Sequence, residues 1–268
     1  MKRICALTTT SILCILAAHG KADTLGTAST YAVLGATTVT NTGSSVLSGN
    51  AGVYSGTAIT GFPPGDVING SIYAGNAPAL GAQIDALSGF TSLNGLSSTG
   101  NLTGQNLGGM VLGPGVYTYS SSAELSGSPL TLDFEDLNDA TIVLQIGSTL
   151  TTASGSSVMV ENLGTDDNVY YAVGSSATLG TNSVLLGDII AEDSVTLTTG
   201  ADITCGGVIA LTGAVALDTN DITNCSASGS DVSSVVDSPT VTPEPESFAL
   251  LTTGLLAGAG FFRRRFFA

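Results

Sequence analysis

Residues 177–217 read ATLGTNSVLLGDIIAEDSVTLTTGADITCGGVIALTGAVAL. Within them Ala177-Thr178-Leu179, Val195-Thr196-Leu197 and Val215-Ala216-Leu217 recur at intervals of 18 and 20 residues. Gly187-Asp188-Ile189-Ile190-Ala191 is echoed twenty residues later by Gly207-Val208-Ile209-Ala210-Leu211. Short period-two aliphatic runs, cornered by glycine at such a repeat, predict a β-solenoid in which each repeat is one coil. Each coil divides into about three short strands, and successive coils pair in parallel about 4.8 Å apart. Alternation then assigns faces: Val195 and Leu197 point inward, Thr196 and Thr198 outward. Thr178 takes the equivalent outward place one coil earlier, and Ala216 with Asp218 one coil later. One face therefore carries small side chains, many with both a hydroxyl and a methyl. A second face, holding Asp188, Ile190 and Glu192 and followed by Val208, Ala210 and Thr212, reads as more charged.

Two further features follow the repeat. Cys205 and Cys225 stand twenty residues apart, which is one coil. Positions one coil apart lie near the Cα separation a disulfide needs, roughly 4.4–6.8 Å. The expectation is a cross-coil disulfide near the C-terminal end of the stack, with two free thiols as the alternative. Earlier in the chain, Asn76-Ala77-Pro78 offers a cap and an early proline, and Leu80, Ile84 and Leu87 follow at helical spacing. This predicts a helix from Pro78 to about Leu96, against the solenoid flank, with Gly81 and Gly89 weakening it.

Charge divides the chain into a body and two ends. Lysine, arginine and histidine are absent between Asp23 and Phe262, while all twenty-one carboxylates lie in that interval. Without cations the body has no means of holding nucleic acid phosphates or anionic lipid. Calcium is compatible with the charge, but Asp133-Phe134-Glu135-Asp136 lacks the spacing and glycine of an EF-hand loop and reads as a solvated acidic turn. No metal or cofactor is expected. At the N-terminus, Lys2 and Arg3 precede an apolar run, Ile4 to Ala18, and small residues around Ala22. That is the layout of a secretory signal peptide over 1–22, the alternative being a first membrane span. The body, 23–227, is followed by a Ser/Asp/Val/Pro-rich linker over 228–242. The segment 243–268 reads Pro243-Glu244-Pro245, an apolar stretch over 247–262, then Arg263-Arg264-Arg265. This order resembles the PEP-CTERM sorting tail of Gram-negative bacteria. The resemblance implies a transient membrane anchor, recognition and cleavage by an exosortase, and release to the envelope or an exopolysaccharide matrix.

Several motifs of the body resemble the large microbial ice-binding domain. They include Tyr31-Ala-Val-Leu-Gly, Gly56-Thr-Ala-Ile-Thr-Gly-Phe-Pro-Pro-Gly65, Leu107-Gly-Gly-Met-Val-Leu-Gly-Pro-Gly-Val-Tyr117 and Val173-Gly-Ser-Ser-Ala-Thr-Leu-Gly-Thr181. With Leu130-Thr-Leu-Asp133, Gln145-Ile-Gly-Ser-Thr-Leu150 and the late repeats they span nearly all of 24–225. The resemblance implies an all-β fold with one flanking helix: a right-handed, discontinuous β-helix of triangular cross-section, in which early segments complete the stack beside late ones. It implies adsorption of a secreted monomer to the ice crystal surface, giving antifreeze activity or inhibition of recrystallisation. Some family members carry Thr-Ala/Gly-x-Thr/Asn on the binding face. Thr27-Ala28-Ser29-Thr30 and Thr57-Ala58-Ile59-Thr60 fit it, Thr42-Gly43-Ser44-Ser45 nearly fits, and Thr199-Gly200-Ala201-Asp202 departs at its last position. Candidate ice-contacting residues are thus Thr27, Thr30, Thr42, Ser45, Thr57, Thr60, Thr178, Thr196, Thr198, Thr199, Ala210, Thr212 and Ala216.

Two other functions compete. Parallel β-helices also host polysaccharide-cleaving enzymes, but lyases generally use a basic residue or a metal, and no carboxylate pair stands out for a glycosidase. The body is therefore read as non-enzymatic. A structural or adhesive matrix protein without ice activity is the alternative; the sorting tail favours an exopolysaccharide-associated setting, in which such a role and ice binding are compatible.

Overall fold

The computed structural model describes residues 24–225. The leader over 1–22, the linker over 228–242 and the tail over 243–268 lie outside the described residues. Within them, short parallel strands form the three walls of a solenoid, and one helix, α1 (Ala77–Asn94), lies along one wall.

The chain does not stack in sequence order. Residues 31–74 build two coils and one further strand at one end, and α1 then returns the chain along the stack. From Gly100 onward the chain builds the other coils, finishing at Thr223. The last coil closes on the first, where Val208, Val215 and Ile222 pair with Val33, Val39 and Leu47. Buried amides secure this seam. Asn224 donates to the carbonyls of Ser29 and Tyr31 at 2.7 and 3.0 Å. The Asn220 backbone N–H donates to Ser45 Oγ at 3.0 Å, and its side chain donates to the carbonyls of Thr198 and Ala201. Each of these polar groups would be costly to bury unpaired.

The helix covers the largest wall, whose strands run in the order Ile72–Ala74, Asn50–Val53, Tyr31–Gly35, Val208–Ala210, Asp188–Ala191, Asn168–Val173, Thr141–Ile146, Gly115–Tyr119 and Gly100–Asn101. The packing face of α1 consists of small residues, Ala79, Ala82, Ala86 and Gly89, with Leu93. Of these, Ala82, Ala86 and Leu93 cluster with Tyr31, Leu34, Val143, Tyr170, Ala172, Ile190 and Ile209. Close approach is the reason for their size: a Cβ on Gly89 would stand 2.6 Å from the Thr24 carbonyl oxygen. The expected stripe of Leu80, Ile84 and Leu87 is not the packing face, since Ile84 and Leu87 are 59% and 56% exposed. Hydrophobic spacing misleads here because alanines, not large aliphatics, fit against a wall already filled with Tyr and Ile. Asn76 caps the helix by accepting from the Ala79 N–H, Gln83 donates to the Ala210 carbonyl, and Gln145 donates to those of Leu93 and Leu96. Asp85 accepts from the backbone and hydroxyl of Thr27, which holds its carboxyl below the usual range.

The same wall corrects the charged face expected around Asp188. Ile190 pairs with Ile209 and both lie beneath the helix, while Ala191 pairs with Ala210 and both point into the core. The glycine spacing would set Ile190 opposite Ala210, whereas the ladder sets it opposite Ile209, so the inside–outside phase slips by one place. Inside the solenoid, coil length sets what fills the space. The long coils, in which Leu150 pairs with both Ala123 and Ala177, hold Tyr119, Phe134 and Tyr171. The shorter ones hold Ala32, Ala51, Ala191 and Ala210. Burial pushes the Tyr119 phenol up to about 12.

Cys205 and Cys225 form the expected disulfide, with Cα atoms 4.6 Å apart. It ties the chain after the last coil to the corner one coil below, beside the seam. Closing a loop of this length stabilises by about 3 kcal/mol. Replacing both cysteines by serine should lower the unfolding free energy in urea by about that amount. An unchanged transition midpoint would show that the seam is held without the bridge.

Candidate functional site

Among the described residues, neither helix nor loop lies over the centre of the second wall. Its strands run in the order Ala123–Leu125, Leu150–Thr152, Ala177–Leu179, Val195–Leu197, Val215–Asp218, Thr38–Thr42 and Ala58–Thr60. Aliphatics of each strand point inward, as Val39, Leu150, Leu179, Val195 and Val215 do. The outward residues fall into register. Glu124 stands beside Thr151, then follow Thr178, Thr196, Ala216, Thr40 and Thr60. A flanking row one outward place earlier on each strand is Ser122, Thr149, Ser176, Ser194, Ala214, Thr38 and Ala58. Neighbours across strands repeat at about 4.8 Å, and outward places along a strand at about 6.6 Å.

Apart from Glu124, this grid is chemically uniform. Its members are compact, and each Thr is held by its β-branch in few rotamers. The hydroxyls of Thr40, Thr60, Thr151, Thr178 and Thr196 make no hydrogen bond to protein among the described residues, which leaves them for water. Hydroxyls at the borders are used internally instead. Thr198 Oγ1 donates to the Leu179 carbonyl at 2.7 Å, Thr199 Oγ1 to the Asp218 carboxylate at 2.6 Å, and Thr212 Oγ1 to the Glu192 carbonyl at 2.7 Å. A regular grid of methyls and free hydroxyls suits a repeating uncharged surface rather than a small molecule. The groove of about 330 Å³ lined by Tyr54, Ile84, Leu87 and Phe90 lies beside the helix, away from the central row.

All but two of the residues singled out from sequence fall in four places. Thr60, Thr178, Thr196 and Ala216 share the central row, and Thr42 and Thr198 lie one outward place further along their strands. Thr57, Thr199 and Thr212 occupy corners of this wall. Thr27 and Thr30 lie on a short 3-10 turn (Gly26–Thr30) against α1, where Thr27 bonds Asp85 and Thr30 bonds the Thr27 carbonyl and Asn50. Two assignments are corrected. Ser45 is fully buried, donating to Asn41 and accepting from Asn220 at the seam. Ala210 is fully buried in the core, its phase reversed by the offset described above. The motif reading misses Thr40 and Thr151, the row's link across the seam and its member in the long coils. A signal for Thr151 is present in the sequence: Ala123, Leu150 and Ala177 begin equivalent strands at equal spacing.

Comparison with known proteins agrees with this architecture. The family model described as ice-binding-like matches residues 33–223. An ice-binding protein of Nostoc sp. (strain HG1) is 47% identical over 243 residues, covering 90% of this chain and 87% of that protein. The crystal structure of an ice-binding protein from an Antarctic biological consortium superposes with a TM-score of 0.72 at 34% identity, over 83% of this chain and 96% of the other. That of the Antarctic ascomycete Antarctomyces psychrotrophicus gives 0.68 at 38% identity, over 74% and 96%.

Among the described residues the third wall is uncovered too, but it has no such grid. Its outward positions mix Val111, Met159 and Val184 with Asp66, Asp202 and Asp221. Burial and the neighbouring Asp202 carboxylate push the Asp221 carboxyl up. A carboxyl raised on folding binds its proton more tightly in the folded chain, so its penalty is present at neutral pH and disappears below the unfolded value. Asp221→Asn should therefore raise stability at pH 7, and the gain should vanish when unfolding is measured below about pH 4. A gain equal at both pH values would remove charge repulsion as the cause.

Proposed function

The chain belongs to the ice-binding-like family, and from that premise we propose that it adsorbs to ice through the wall bearing Thr151, Thr178, Thr196, Ala216, Thr40 and Thr60. The observation that carries this reading is the central row itself: five threonines in register, their hydroxyls free, with Ala216 the sole interruption. Thr42 and Thr198 extend the contact at one border. Thr57, Thr199 and Thr212 lie at the corners of this wall, and Thr27 and Thr30 lie away from it.

The physics follows from the grid. A methyl presented beside a hydroxyl at each lattice point orders water without binding it strongly in any one direction. Water so ordered fits an advancing crystal with little further loss of entropy, and bridging waters join the two surfaces at small cost. Stiff threonine side chains lose little rotamer freedom on docking, which long charged side chains would not match. Once adsorbed, molecules force the ice front to bulge between them, and curvature lowers the local freezing point. No bond is made or broken in this role.

The leader and the Pro243-Glu244-Pro245 tail support export, processing by an exosortase and work outside the cytoplasm, where an exopolysaccharide matrix would retain the protein near growing ice. A purely structural matrix role makes no use of the free hydroxyl row. Thermal hysteresis of the purified protein should be measurable, and Thr178→Tyr or Thr196→Tyr should reduce it by more than half while leaving stability within about 0.5 kcal/mol. Variants as active as the parent would move the site to another wall. A parent that leaves ice growth and recrystallisation unchanged would favour the structural role.

A further inference from the structure

We infer that Glu124 sets the limit of the ice-adsorbing face, so that one charged side chain decides how many coils take part. The inference rests on the reading that this wall meets ice. The backbone ladder continues past Thr151 without interruption: Ala123, Glu124 and Leu125 pair with Leu150, Thr151 and Thr152, and Asn106 bridges to Glu124 on the far side. Ala123 and Leu125 are buried, so Glu124 points outward from a strand no different in placement from those bearing threonine. Its neighbours along the strand, Ser122 and Ser126, are as small as the rest of the grid. The coil is therefore built like its fellows, and the carboxylate is what departs.

Two acids stand on the outward places of this wall, and they differ. Asp218 is drawn toward the corner, accepting from Thr199 at 2.6 Å and from Thr219 at 3.1 Å. The Glu124 carboxylate receives no hydrogen bond among the described residues, and the body offers no lysine, arginine or histidine to pair with it. An unpaired charge keeps its own hydration shell, and stripping that shell is strongly unfavourable. Ice supplies no countercharge. Contact with the crystal must end at Thr151, with the water around Glu124 oriented by charge instead of by the grid. Six coils, those of Thr151, Thr178, Thr196, Ala216, Thr40 and Thr60, then form the working face.

The test is thermal hysteresis of Glu124→Thr and Glu124→Gln against the parent at equal concentration, with Thr178→Tyr in parallel and circular dichroism of each. Glu124→Thr should raise hysteresis by at least roughly one-sixth, the share of contact area that a seventh coil adds to six. Glu124→Gln removes the charge but keeps a long mobile side chain, and should fall between parent and Glu124→Thr. An active parent with neither variant above it, both folded, would overturn the inference while leaving the face in place. An inactive parent would overturn both together.

Discussion

Parallel backbone pairing holds successive coils at one spacing of about 4.8 Å, and the outward rows of the solenoid copy that spacing. The order of the candidate face is thus inherited from the backbone, not assembled by side chains. Threonine makes the copy faithful, because its β-branch suits the strand and restricts its own rotamers. The ladder also carries the row across the seam, where Ala216 stands beside Thr40 although most of the described chain runs between them. Anything that loosened the closure of the last coil on the first would split the face in two.

That dependence explains where the polar groups of the interior are spent. Ser45, Asn220 and Asn224 are all buried, and each bonds across or beside the seam. The disulfide lies at the same place. Across the same seam, α1 straps the early coils to the late ones through alanines that pack close, through Gln83, which donates to the Ala210 carbonyl, and through Gln145, which donates to the Leu93 carbonyl. Helix and seam together let a discontinuous chain present one continuous wall. Apart from Glu124 at the end of the row, the acids collect elsewhere, on the third wall and at the corners, where they keep the protein solvated.

The solenoid is legible because glycine corners and period-two aliphatics recur through residues 177–217. The outward places of Thr178, Thr196 and Ala216 follow from the same alternation, and the cysteine spacing leads to the bridge. Coil lengths are harder to read. On the helix-covered wall the glycines recur at twenty residues while the ladder pairs residues nineteen apart, which is why Ala210 reads as outward although it fills the core. Ser45 is misplaced for a different reason. A threonine–serine motif looks the same whether its hydroxyls meet water or pair with a buried asparagine, and only the closing of coil on coil distinguishes them. Joining Thr40 to Ala216 requires tertiary structure altogether, since no local pattern spans that distance.

Frozen water should accept this rigid wall of compact neutral groups as its own continuation. Slow growth of an ice hemisphere in a solution of the purified protein puts that to the test, by measuring how the protein divides between ice and remaining liquid. Enrichment in the ice fraction is the expected result. Exclusion into the liquid, to the degree seen for an ordinary protein of similar size and charge, would contradict it.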